Sequence, residues 1–73
     1  MKYSLILTVD DLRAYELLEP DIRELKRDRS SIDITRTDKT TEVVIKAKDA
    51  VALRASVDSV VQMLKVFEKM ERI

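Results

Sequence analysis

The chain of 73 residues contains no cysteine, no histidine and no glycine. Without cysteine it can form neither a disulfide bond nor a thiolate metal site. Without histidine it lacks the commonest general base and metal ligand near neutral pH. The absence of glycine excludes phosphate-binding glycine loops and counts strongly against a KH-type RNA-binding domain, which needs its GXXG loop. The composition therefore predicts a protein that is not an enzyme and has no catalytic residue, metal site or cofactor.

Length and charge narrow the remaining possibilities. The chain has 14 basic and 14 acidic residues, so its net charge is zero. This argues against a strong free-standing nucleic-acid binder, although a local basic patch remains possible. Residues 1–73 are predicted to form one domain with a small core, which favours association with itself or a partner. No apolar run reaches membrane-spanning length and none resembles a secretory signal, so we expect a cytoplasmic protein without membrane contact.

The last third of the sequence, residues 49–73, predicts one long helix. Asp49 is a favourable N-cap, and neither glycine nor proline follows it to interrupt the helix. One apolar row, spaced by four and three residues, lies on a single face and is predicted to enter the domain's own core. This row consists of Leu53, Val57, Val60, Leu64 and Phe67.

A second row lies beside the first, with small residues at its start and methionines toward its end. Together the rows cover about two-thirds of the circumference, more than a surface helix ordinarily buries. Small residues allow close approach and methionine adapts to irregular surfaces, so we interpret this row as a contact for another helix. The alternative is that it packs under the other helix of the same domain, enclosed within one protomer. The row consists of Ser56, Ser59, Met63, Val66, Met70 and Ile73.

An earlier segment predicts a helix interrupted by the single proline. Pro20 predicts that this helix ends near Leu18 and that a second short helical piece begins at the proline. Leu17 falls outside the apolar row and is interpreted as an exposed leucine, with a partner contact as the alternative. The row consists of Tyr15, Leu18, Ile22 and Leu25.

The remaining segments alternate in polarity and predict three strands, at residues 1–9, 30–37 and 40–48. The order strand, helix, strand, strand, helix indicates an α+β fold, β-α-β-β-α. A right-handed first crossover gives a three-stranded antiparallel sheet of order 1-3-2 with two helices on one face. The other face carries Ile6 and Val44, and two strand edges are open. We therefore expect a homodimer formed through the sheet, by its face or by its edge.

Basic residues occur in the connection before the hairpin and on the hairpin's last strand. They could contact phosphates, although a solvated loop is the alternative, because isolated basic runs are common on protein surfaces. The candidates are Arg27, Arg29, Lys46 and Lys48.

Several segments together are similar to one family. The segment YELLEPDI, from Tyr15 to Ile22, resembles the pattern "Y…L.P-acid-I", and Arg29 to Ile32 resembles the start of that family's second strand. Ala47 to Asp49 and Ala52 to Ser56, followed by Asp58-Ser59, resemble its most recognisable motif, which often has Asn-Ser at the last two positions. In this combination and order the segments resemble the Pcc family, the small dimerisation subunit of the KEOPS complex, in its archaeal type.

The resemblance implies a non-catalytic scaffold subunit. KEOPS makes the threonylcarbamoyl modification of adenosine in tRNA, and its catalysis belongs to a separate Kae-family subunit. The subunit resembled here forms a homodimer, docks its two helices on the catalytic subunit and assists tRNA binding. The alternatives are a small KH-like nucleic-acid-binding domain and a generic dimerisation domain. The implied partner contacts are Tyr15, Ser56, Ser59, Met63, Val66 and Met70, and the implied tRNA contacts are Arg27, Arg29, Lys46 and Lys48.

Overall fold

A computed structural model of the chain describes residues 2–25 and 28–71, with side chains described up to Met70. β3 lies between β1 and β2 and pairs antiparallel with both. Both helices pack on β2 and β3 from one side of the sheet. The predicted α+β fold, its element order and its sheet order are therefore confirmed. The elements are β1 (Tyr3–Val9), α1 (Arg13–Glu24), β2 (Ser30–Arg36), β3 (Thr41–Ala47) and α2 (Ala50–Glu71).

The core lies between the helices and the central strand. Alternate residues of β3 point toward the helices, and Thr41, Val43, Ile45 and Ala47 are all buried, as the period-2 pattern predicts. Burying one large apolar side chain contributes about 1.5–3 kcal/mol, and few such side chains are available in a domain of this size. The buried apolar cluster consists of Ala14, Leu18, Ile22, Val43, Ile45, Val60 and Phe67.

Helix α2 begins where the sequence predicts. The backbone amide of Ala52 donates to Oδ1 of Asp49 at 2.8 Å, which satisfies one of the free amides of the first turn. Val60 and Phe67 are buried, and the other members of the first row pack against the core, so that row faces inward as expected. Neither helix in the described part of the chain combines the length and apolar composition needed to cross a membrane.

Helix α1 is continuous, and the predicted break at Pro20 is wrong. The helix runs from Arg13 to Glu24 with Pro20 inside it, although an interior proline removes one backbone hydrogen bond and costs about 3 kcal/mol. Leu18 and Ile22 lie on either side of the proline, four residues apart on one face, and both are buried. Their burial against the sheet requires one helical path through residue 20, and this packing outweighs the local penalty.

Candidate partner-binding surface

An apolar groove runs between α1 and α2, and we refer to it as the interhelical groove. Leu18 and Phe67 are buried members of its lining, while side chains on either wall remain partly in solvent. Its volume of about 290 Å³ is at the lower limit of the range of about 300–1,000 Å³ typical of small-molecule sites. The lining consists of Leu17, Leu18, Asp21, Gln62, Met63, Val66, Phe67 and Met70.

The described residues in the C-terminal half of the second row are not fully covered within the protomer. Val66 is 58 % exposed, Met70 is 50 % exposed, and Met63 is partly buried on the groove wall. Ser59 lies on the same side of α2, and its hydroxyl donates to the Ala55 carbonyl at 3.1 Å. Enclosure of these methionines and of Val66 would have contradicted docking, and that outcome is not observed. Ile73 lies outside the described residues.

Ser56 does not belong to an accessible surface. Its side chain is fully buried, and its hydroxyl donates to Oγ of Ser30 at 2.7 Å. Ser30, at the start of β2, is itself 5 % exposed. The small residue at position 56 therefore permits close approach between α2 and this protomer's own sheet. A partner contact by the Ser56 side chain, as the sequence suggested, is incompatible with this burial.

Tyr15 lies apart from the interhelical groove. It lines a shallow depression between α1 and β2, together with Ile32 and Ile34. The guanidinium of Arg36 lies 5.2 Å from the centre of its ring, within the range of a cation–π contact. Tyr15 lies on the side of α1 that faces β2, whereas the interhelical groove lies on the side that faces α2. The structure therefore does not bring Tyr15 together with Met63, Val66 and Met70.

The sequence predicts an exposed Leu17, with a partner contact as the alternative, and the structure places this residue in the groove lining. It is 39 % exposed and lines the groove on the α1 side. The sequence offered one signal, since Leu17 lies outside the buried row of its helix and so points toward whatever lies beside α1. Only the placement of α2 shows that Leu17 extends the apolar surface formed by Met63, Val66 and Met70.

The side of the sheet away from the helices is open. Ile6 is 64 % exposed there and pairs in register with Val44, which pairs in turn with Asp33 of β2. On the helix side, Tyr3 and Leu5 of the edge strand β1 are also about two-fifths exposed, because the helices pack mainly over the other two strands. Both the open face and the β1 edge therefore expose apolar side chains.

Three of the four predicted phosphate contacts lie at one end of the sheet. Lys46 and Lys48 are exposed at the end of β3, and the Lys48 amide donates to the Arg29 carbonyl at 2.9 Å. The Arg29 guanidinium lies 3.3 Å from the Asp49 carboxylate, so part of its charge is already offset. Lys2, which is not among the predicted phosphate contacts, precedes β1 at this same end of the sheet. Arg27 lies outside the described residues.

The acidic residues in α1 and just before it are distributed as surface charges. The carboxylates of Asp11 and Glu19 pair with Arg13 and Arg23 respectively, each at 2.7 Å. Within residues 2–25 and 28–70, no three acidic side chains are grouped so that they could hold a metal ion.

Comparison with known proteins identifies one family. A family model described as "Transcription factor Pcc1" matches residues 12–71, a segment that runs from the start of α1 to the end of α2. No curated protein and no solved structure matches the chain.

Proposed function

This chain belongs to the Pcc1 family of KEOPS subunits, and from that membership we propose that it is the non-catalytic dimerisation subunit of an archaeal-type KEOPS complex in the cytoplasm. In this role it docks on a Kae-family catalytic subunit and supports threonylcarbamoyladenosine modification of tRNA. Family membership itself is consistent with a subunit that has no catalytic function.

The observation that carries the proposal is the uncovered apolar wall of the interhelical groove. Leu17, Val66 and Met70 are each at least 39 % exposed and lie together along two helices. Burying such side chains would contribute about 25 cal/mol for each Å² removed from water. A helical partner is the simplest occupant, because a helix can fill a groove between two helices with residues spaced by three and four.

The proposed homodimer uses the sheet, which lies on the opposite side of the molecule from the groove. The exposed Ile6 beside Val44 supports association through the open face. The exposed Tyr3 and Leu5 on the edge strand support association through β1. Either arrangement leaves the groove of each protomer free, so one dimer could join two catalytic subunits.

The experiment that tests the proposal is reconstitution from separately purified chains. A Kae-family catalytic subunit is mixed with this chain and analysed by size-exclusion chromatography with light scattering. We expect a stable complex that contains two copies of each chain. Separate elution at micromolar concentration would contradict the proposal, and a one-to-one complex would contradict its dimeric part.

We propose that the basic end of the sheet assists tRNA binding by the assembled complex. Lys48→Glu is expected to weaken tRNA binding severalfold. Because one phosphate contact is lost, the slope of log K against log salt concentration should become shallower by about 1. The matched control is Lys39→Glu, in the turn at the other end of β3. Filter binding at two salt concentrations measures the affinity and its salt dependence. Equal effects from Lys48→Glu and Lys39→Glu would contradict a local contact at the basic end of the sheet.

A DNA-binding transcription factor is the second candidate, because the matching family carries that description. The zero net charge and the absence of glycine weaken it. The same binding assay separates the two functions when the isolated chain is used with duplex DNA. Tight binding of DNA at physiological salt by this chain alone would favour the second candidate over the scaffold role.

A further inference from the structure

One charged residue interrupts the apolar lining of the interhelical groove. Asp21 lies on the α1 wall, one turn beyond Leu17, and Gln62 and Met63 line the same end from α2. Asp21 is exposed. Among the described side chains, the nearby carboxylates of Asp11 and Glu19 have arginine partners, whereas Asp21, Glu16 and Glu24 form no ion pair. Of these last three, Asp21 is the one that lines the groove.

The two ends of the groove differ in charge. The groove continues past Leu17 and Phe67 to Arg13 and Met70, and Arg13 is held by Asp11 at 2.7 Å. Arg13 at that end has a carboxylate partner, whereas the Asp21 carboxylate at the other end forms no ion pair with a described side chain. A partner that fills the groove removes water from this carboxylate, which costs free energy unless an opposite charge replaces the water.

We propose that the helix occupying the groove places a lysine or arginine side chain against Asp21, and that this ion pair sets the direction in which the helix lies. This inference rests on the proposed docking of a catalytic subunit. Gln62, on the facing wall, supplies a side-chain carbonyl that accepts a further hydrogen bond from the same cation, because lysine and arginine carry several donors. Reversal of the helix would place that cation beside Arg13 and leave Asp21 without a partner.

The test is the affinity of a Kae-family catalytic subunit for the full chain and for Asp21→Asn, measured by titration at low and at physiological salt. The change removes the charge and keeps the shape of the side chain. We expect binding to weaken by about fivefold or more, and the salt dependence of the remaining affinity to be smaller, because an ion pair at a partly solvated interface is screened by salt. Circular dichroism confirms that the fold is unchanged.

The control is Glu16→Gln, which removes one exposed negative charge from the same helix outside the groove lining. It is expected to change affinity less than twofold. An Asp21→Asn effect below fivefold, or equal to that of the control, overturns the ion pair.

If Val66→Asp abolishes binding while Asp21→Asn does not weaken it, docking stands and the ion pair fails. If neither variant changes binding, the docking proposal itself fails. If these variants abolish self-association of the chain and leave catalytic-subunit binding unchanged, the groove binds a second copy of the chain. That result would also overturn the inference.

Discussion

Val66→Asp is expected to weaken binding of the Kae-family catalytic subunit by at least about 100-fold, equivalent to about 2.7 kcal/mol. Val66 is 58 % exposed in the protomer, so the substitution leaves the folded chain with a solvated carboxylate and little loss of core packing. In the docked complex that carboxylate would be buried beside Met63 and Met70 without a partner, which is strongly unfavourable. Isothermal titration measures the loss, and a thermal melt verifies the fold.

The matched control for this prediction is Val51→Asp. Val51 lies on the same helix, is 71 % exposed and is not part of the groove lining. A negative charge in the first turn of a helix is also compatible with the helix dipole. We expect its affinity to remain within about twofold of the unmodified chain. Equal losses for Val51→Asp and Val66→Asp, or no loss for either, would show that the groove is not the docking site.

Ile45→Ala is expected to lower the free energy of unfolding by about 2–5 kcal/mol and the Tm by about 10 °C or more. Ile45 is 1 % exposed and pairs in register with Leu5 on one side and Ile32 on the other. Truncation leaves a cavity at the centre of a core that has few other large side chains. Urea denaturation followed by circular dichroism gives the loss of stability.

Ile6→Ala makes the same chemical change on the opposite face of the sheet. Ile6 is 64 % exposed, so we expect the stability of the dilute, dissociated chain to fall by less than about 1 kcal/mol. A larger loss that appears only at high protein concentration would place Ile6 in the dimer interface, because association stabilises the folded state by mass action. Equal losses of stability from Ile45→Ala and Ile6→Ala in the dissociated chain would contradict the assignment of Ile45 to the buried face and Ile6 to the open face.

Topology and the inward face of the sheet could be predicted from the sequence because they depend on local signals. Alternation from Thr41 to Ala47 fixes which side chains point to the helices, and Asp49 marks the start of α2. The order of the elements, with the handedness of the first crossover, then leaves one simple arrangement of three strands. Each of these signals acts within a few residues or follows from connectivity.

The errors arose where tertiary contacts decide the outcome. Pro20 remains inside α1 because Leu18 and Ile22 are both held against the sheet, a contact that no local rule includes. Ser56 lies at the border of the two apolar rows, and only the nearby Ser30 hydroxyl shows that it faces the protomer's own sheet. Leu17 is exposed, as predicted, but only the placement of α2 beside it shows that it belongs to the groove. Such assignments need the relative placement of elements distant in sequence.

Methyl NMR of the chain, with and without a Kae-family catalytic subunit, tests the docking claim most directly. The methyl groups of Met63, Val66 and Met70 report on the groove, and those of Ile6 and Val44 report on the open face of the sheet. We expect the groove resonances to shift on addition of the catalytic subunit and the sheet resonances to keep their positions. Unchanged groove resonances in a sample where the two proteins are bound to each other would contradict it.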